Sequence, residues 1–233
     1  MLKKFKKILK NRKIVEEQKI LISKNGDSSV DESYIRLKDN ILFRGETGLK
    51  VVQISSSVLG EGKSTRACNL AVSIAFSGKK VVILDLDFKR PKVTKIFGVK
   101  DGLGVGDYLE SDYLVEDVIQ KTQYGVDVIG KGETTYNSSF LLGSDKFKDF
   151  IQKLREKYDF ILLDCSPVML SSDYIHLAKV SDGILLAVST NYVKKTAVRE
   201  TVKLLNKIPT PIIGCVMTMK MPNSSTKYDD EEI

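Results

Sequence analysis

Residues Val51 to Thr65 read VVQISSSVLGEGKST. An apolar run breaks into small residues and closes on Gly60-Glu61-Gly62-Lys63-Ser64-Thr65, after which a helical pattern begins. A strand that turns through glycines straight into a helix gathers backbone N–H groups and a helix N-terminus at one point. Glycine lets that backbone approach an anion with no Cβ in the way. Lys63 adds a point charge, and the Ser64 hydroxyl suits Mg²⁺. The candidate nucleotide-binding residues are therefore Ser57, Gly60, Glu61, Gly62, Lys63, Ser64 and Thr65. The strict phosphate-loop template has glycine where this chain has Ser57, which is small and whose hydroxyl can serve the turn. An incidental lysine in a small-residue turn would explain neither the strand before, the helix after, nor the Lys-Ser-Thr ending. The stretch implies a bound nucleoside triphosphate.

The rest of the chain must supply the sheet that this turn belongs to. Strand-like runs occur at 51–55, 81–85, 126–129, 160–164, 184–189 and 212–217, and their unbroken apolar character fits strands buried on both faces. Helical patterns lie near 32–43, 64–77, 145–157, 171–180 and 195–207. The alternation predicts an α/β fold, an open, mostly parallel sheet with helices on both faces, as a single domain. That domain is expected at 31–220, after an extension and linker at 1–30 (with 25–31 as a polar break) and before a tail at 221–233. No apolar window is long enough to span a bilayer, and the basic N-terminus lacks the apolar core of a signal peptide. Cys68, Cys165 and Cys215 lie far apart in apolar patterns and read as reduced core thiols, not as a disulfide framework or a metal site. His176, the single histidine, reads as structural.

Two further motifs carry chemistry. In VVILDLDFKRP, Asp85 and Asp87 end an apolar run, and alternation puts both on one side with Leu86 opposite. Paired carboxylates at the ligand-binding edge of a sheet need a cation between them, or one must hold a proton. Mg²⁺ arriving with a triphosphate supplies that cation. In FILLDCSPV, Asp164 ends another apolar run, and Pro167 fixes the turn after it. Alone this third motif is common; with the other two it fits the metal-side carboxylate of a phosphate-loop enzyme.

Together the motifs resemble those of bacterial tyrosine kinases, in the form found as a separate cytosolic chain. Such chains partner the transmembrane chain-length regulators of capsular and exopolysaccharide synthesis. The resemblance runs from about Glu32 to Lys220, and its specific part is Asp85-Leu86-Asp87 followed by Lys89-Arg90-Pro91. Division-site and partitioning ATPases look similar but typically carry a lysine where this chain has Val58. The resemblance implies a P-loop NTPase fold and use of ATP and Mg²⁺. It makes Lys63, Asp85, Asp87 and Arg90 catalytic. Lys63 would hold the β- and γ-phosphates, and Asp85 would take the proton from an attacking tyrosine hydroxyl. Arg90 would be a basic group near the phosphates. Ser64, Asp87 and Asp164 would hold the metal, directly or through water. The implied acceptor is a tail tyrosine, here Tyr228 in Lys227-Tyr228-Asp229-Asp230. A nucleotide-switched ATPase scaffold without significant kinase activity is the alternative.

The chain also departs from the family. Its ring-forming Glu-x-x-Arg-x-x-Arg helix becomes Glu32, Ile35 and Lys38, with Arg36 beside the first place, so the basis for a homo-oligomer is weakened. Asn137-Ser138-Ser139-Phe140 stands where the family has prolines and an acid, and Thr218 where relatives carry Asn near the base. Asp173 resembles a family position that faces the site.

The formal net charge is +7, and it is concentrated at one end. Residues 1–24 carry nine Lys or Arg against Glu16 and Glu17, and Leu2, Phe5, Ile8 and Leu9 recur at helical spacing. That pattern suits a helix lying on an anionic membrane surface, and it equally suits a solvated terminus. A nucleic-acid partner is the weakest reading, because the charge lacks interleaved aromatics and any binding motif. The expected location is cytoplasmic, at the inner face of the cell membrane.

Overall fold

Strand patterns this apolar predict cover on both faces. The computed structural model describes residues 20–24, 26, 28–134, 137–190 and 192–218 and shows how. The strands are β1 (Val51–Ser56), β2 (Val81–Leu86), β3 (Gln120–Lys121), β4 (Val126–Ile129), β5 (Phe160–Cys165), β6 (Gly183–Ser189) and β7 (Ile212–Thr218). They form one seven-stranded sheet in the order β3-β4-β2-β5-β1-β6-β7. Every neighbouring pair is parallel except β3 with β4. The helices are α1 (Ser29–Gly45), α2 (Lys63–Phe76), α3 (Val93–Phe97), α4 (Val105–Glu110), α5 (Ser138–Leu142), α6 (Asp145–Lys157), α7 (Asp173–Ala178) and α8 (Lys195–Leu205). A 3-10 turn occupies Val115–Val118.

Alternation assigns the two faces. Val52, Ile54, Val81, Ile83 and Leu162 pack on Leu70, Ala71 and Ile74 of α2, with Ile41 of α1 and Val93 of α3 behind them. Val51, Val82, Leu84, Ile161 and Leu163 pack on Phe147, Phe150, Ile151 and Leu154 of α6. Those four residues of α6 sit at helical spacing and are buried, and Ser144 caps the helix by accepting the Phe147 N–H. Burying each contributes about 1.5–3 kcal/mol. Ile184 and Leu186 of β6 pack on Leu205 of α8.

The structure alters several boundaries. β2 runs one residue past Asp85, and β5 one past Asp164. α7 is shorter than 171–180, and α8 ends at Leu205. α1 begins inside the polar break 25–31, because Ser28 and Asp31 form a capping box. The Ser28 hydroxyl and the N–H groups of Ser23 and Ser28 hold the Asp31 carboxyl below its usual range. α3, α4, α5, the 3-10 turn and β3 are too short to leave a period in the sequence. Cys68 and Cys165 are buried as expected, whereas Cys215, on β7, is exposed and is not a core thiol. Among the described residues no helix is long and apolar enough to cross a membrane.

Residues 20–23 form a strap across α2. The N–H groups of Leu21 and Ile22 both donate to Asn69 Oδ1 (2.6 and 3.3 Å), and Ser23 N–H donates to Asp31 Oδ1 (2.7 Å). Asn69 is fully buried, and its Nδ2 donates to the Thr65 carbonyl (2.8 Å).

Candidate functional site

β1 ends at the carboxyl edge of the sheet, where open α/β folds bind ligands. The loop after it is fastened on both sides. Val168 N–H donates to the Ser56 carbonyl (2.9 Å) and Met169 N–H to that of Ser57 (3.2 Å). Gly60 and Gly62 take positive φ values of 82° and 77°, in the left-handed region that favours glycine. Gly62 is the N-cap of α2 and brings no side chain, so the first-turn N–H groups stay free of a side-chain cap. Glu61 is buried and works as a strut: Oε1 accepts Val58 N–H (2.8 Å) and Oε2 accepts Ser189 N–H from the end of β6 (2.9 Å). It shapes the loop rather than facing the anion.

Lys63 opens α2 and is 8% exposed. Its Nζ lies 2.9 Å from Asp87 Oδ2 and 3.4 Å from Asp164 Oδ1, and it donates to Ser64 Oγ (3.3 Å). The three acids share the α2 side of the sheet, since Asp85 continues the series Val81, Ile83 and Asp164 the series Phe160, Leu162. Asp85 and Asp164 are register partners on adjacent strands. The cluster expected from three separate motifs is therefore assembled.

Each acid is held differently. Asp85 Oδ2 accepts the N–H groups of Lys92 (2.7 Å) and Val93 (2.9 Å), and Oδ1 accepts that of Asp87 (3.3 Å), so it fastens the turn leading into α3. Asp87 Oδ1 accepts the Ser166 hydroxyl (3.2 Å) and Arg90 N–H (3.3 Å). Asp164 Oδ2 is buried with no hydrogen-bond partner among the described residues, as is Ser57 Oγ. An orphaned carboxylate oxygen beside Ser64 and Asp87 suits a hard cation. Among the described residues no three His, Cys, Asp or Glu side chains form a ready metal cage, but Mg²⁺ characteristically takes one or two carboxylates plus phosphate oxygens. Ser64 and Thr65 are buried at the start of α2, whereas Arg90 is exposed on the turn and reaches the cluster through its backbone N–H.

Burial and the charge of Asp164 push the Asp85 carboxyl up to about 7, against the pull of the Lys92 and Val93 N–H groups and Lys63. Burial also raises Asp164, although Lys63 and Ser64 oppose it. Burial alone would lower the Lys63 ammonium, but Asp164 and Asp87 outweigh it and raise it. The stability consequence has a definite sign. In metal-free protein, folded Asp85 retains a proton that the unfolded chain releases above its ordinary value of 3.8. Stability then falls as pH rises from about 4 to about 7. Carboxyls held low, such as Asp31 and Asp145, act in the opposite sense only at more acid pH. Melting in chelator is expected to drop by several degrees between about pH 5.5 and pH 8, at about 2–4 °C per kcal/mol for a chain this size. Mg²⁺ with nucleotide should reverse the drop; a flat profile would mean that the acids keep no proton.

Sequence reasoning missed the parts played by four side chains. Ser166, two residues after Asp164, reaches Asp87. The Tyr192 ring lies against Gly60, with Cε1 3.5 Å from the position of a Cβ there. Ser138 and Ser139, noted only as departures, donate their hydroxyls to buried Asp173 (2.9 and 2.6 Å) and tie α5 to α7. Asp173 is thus occupied by that tie. Tyr228 and the basic residues 1–19 lie outside the described residues.

Residues 49–212 match the AAA domain family designated AAA_31. Over 206 residues the chain is 30% identical to the "Putative tyrosine-protein kinase CapB" of Staphylococcus aureus, covering 86% of this chain and 90% of that protein. It is 28% identical over 221 residues to the tyrosine-protein kinase YwqD of Bacillus subtilis, covering 94% and 93%. The crystal structure of the chimerical protein CapA2B2 superposes with a TM-score of 0.78 at 28% identity, covering 82% of this chain and 85% of that one. Sequence and fold thus agree with these relatives over most of the chain: the chain belongs to the AAA domain family of P-loop proteins and, within it, to the bacterial tyrosine kinases.

Proposed function

We propose that this chain is an ATP- and Mg²⁺-dependent protein-tyrosine kinase that phosphorylates its own tail at Tyr228. The observation that carries this reading is Lys63, buried between Asp87 and Asp164 at the mouth of a glycine loop. Phosphoryl transfer asks mainly for positioning and charge neutralisation. Loop N–H groups and Lys63 hold the β- and γ-phosphates, with Ser57, Gly60, Gly62 and Thr65 lining the loop and Glu61 bracing it. Ser64, Asp87 and Asp164 hold Mg²⁺, which neutralises phosphate charge when bound. Asp85 takes the proton of the incoming tyrosine hydroxyl, and Arg90 lies on the turn beside it.

The setting follows from the family resemblance. The kinase regulates capsular or exopolysaccharide synthesis or export, and a transmembrane chain-length regulator activates it. The kinase domain, expected at 31–220 and extended at its start by the 20–23 strap and the first turn of α1, stands between a basic arm that meets the anionic inner face of the membrane and an acidic tail that bears the acceptor. In place of two arginines the ring helix has Arg36, paired with Glu32 (2.5 Å), and Lys38, paired with Asp39 (3.0 Å), so a ring is not required. Nothing supports a nucleic-acid partner. The second reading, an ATPase switch without significant kinase activity, is favoured by one observation: backbone N–H groups already occupy the Asp85 carboxyl.

Incubating the full chain with γ-labelled ATP and Mg²⁺ separates the two. Label is expected on tyrosine, more of it with the partner's cytosolic segment, and Tyr228→Phe should remove most of it. Phosphate released only into water would favour the switch; label undiminished in Tyr228→Phe would move the acceptor elsewhere.

A further inference from the structure

The phosphate loop has two unlike flanks. In the strand order, β5 and then β2 lie on one side of β1, and β6 and β7 lie on the other. The acids come from the β5 and β2 side. On the β6 side the chain turns at Ser189, whose carbonyl accepts the N–H groups of Tyr192 (3.4 Å) and Val193 (3.2 Å). Glu61 locks this turn to the loop by accepting Ser189 N–H. The turn presents Tyr192, which is 62% exposed. One part of its ring rests on Gly60, where Cε1, Cζ and Oη lie 3.5, 3.7 and 3.8 Å from a Cβ position. Its ring thus offers an open apolar face beside the polar loop, with the hydroxyl as a polar handle.

A triphosphate seated on this loop has a polarity. Its metal-bearing end faces Asp87 and Asp164, on the β5 side. Its nucleoside end then extends toward β6. We infer that Tyr192 is a binding residue for that end, a wall on which the ribose and the planar base of a nucleoside triphosphate pack. The inference rests on the nucleotide reading of the loop. Glu61 sets the wall's position by joining the loop and the β6 turn through one carboxylate. Base–aromatic packing then adds affinity that the phosphate groups do not supply.

The test compares two ligands by calorimetry on the full chain: ATP with Mg²⁺, and inorganic tripolyphosphate with Mg²⁺. Tyr192→Ala is expected to weaken ATP binding by about tenfold and to leave tripolyphosphate unchanged. Tyr192→Phe, which keeps the ring, should bind ATP within about twofold of wild type. Unaltered ATP binding by Tyr192→Ala overturns the inference. An equal loss for both ligands also overturns it, since the ring would then only shape the loop. A wild-type chain that binds neither ligand overturns the nucleotide reading and this inference with it.

Discussion

Lys63→Met is expected to lower phosphoryl transfer and ATP turnover by at least about a hundredfold, the usual scale for removing a charge that faces the transition state. Methionine keeps much of the length and loses the ammonium that Asp87 and Asp164 share. The damage is not confined to chemistry. Breaking a buried ion pair by removing one partner costs about 3–5 kcal/mol, because the remaining charge is left uncompensated. Here the carboxyls have a partial escape: Asp85 and Asp164 are already raised by burial and can take up protons. The variant should therefore melt nearest to wild type in mildly acid buffer and fall increasingly below it as pH rises. Labelled-phosphate assays and melting curves over the same pH series check both halves. Transfer at the wild-type rate would remove Lys63 from the chemistry. A melting deficit that does not grow with pH would mean that its charge is not what compensates the acids.

The second large effect concerns Asp85, where the usual alanine replacement would mislead. Its carboxyl does two things at once in the proposed kinase: it fastens the Lys92 and Val93 N–H groups, and it serves as the base. Alanine removes both and deprives three N–H groups, those of Asp87, Lys92 and Val93, of their acceptor, at about 1–3 kcal/mol for each buried one. Asparagine keeps an acceptor oxygen for the Lys92 and Val93 N–H groups, gives up the one that accepts Asp87 N–H, and cannot take a proton. Asp85→Asn is expected to melt above Asp85→Ala, to bind ATP, and to lose about a hundredfold or more in tyrosine labelling. Asp85→Ala should lose labelling and also melt lower. If Asp85→Asn labels tyrosine normally, the residue is a fastener only, and proton removal belongs to another group. If both variants hydrolyse ATP but label nothing, and wild type behaves the same, the switch reading stands.

What was legible in the sequence follows a simple physical division. Six of the seven strands of the sheet could be read from continuous apolar runs. Burial on both faces explains five of them, whereas β7, at the sheet's edge, keeps an apolar run with Cys215 and Met217 exposed, so the expected two-sided burial does not hold there. The acid cluster was legible because β2 and β5 end in carboxylates at matched register, which alternation and parallel pairing bring to one side. β3 and the short helices were not, since elements of two to six residues do not repeat a period often enough to stand out from chance. Glu61 was read as part of the anion cradle because the loop motif offers no way to tell a side chain facing in from one facing back. Only the three-dimensional return of β6 to the loop distinguishes them. Tyr192 was invisible for the same reason: 132 positions separate it from Gly60, and the contact depends on the strand order. The roles of Ser138 and Ser139 needed the packing of α5 on α7.

The strap over α2 changes how the membrane idea should be tested. Removing the arm at residue 24 would strip Asn69 of the Leu21 and Ile22 N–H groups and Asp31 of the Ser23 N–H. Asn69 also holds the Thr65 carbonyl, so the wound would open one helical turn from the anion cradle. Lost activity in such a truncation would be indistinguishable from lost lipid contact. Cutting before Ile20 instead removes the cationic stretch and leaves the clasp closed, so that vesicle recruitment and nucleotide handling can be scored as separate properties.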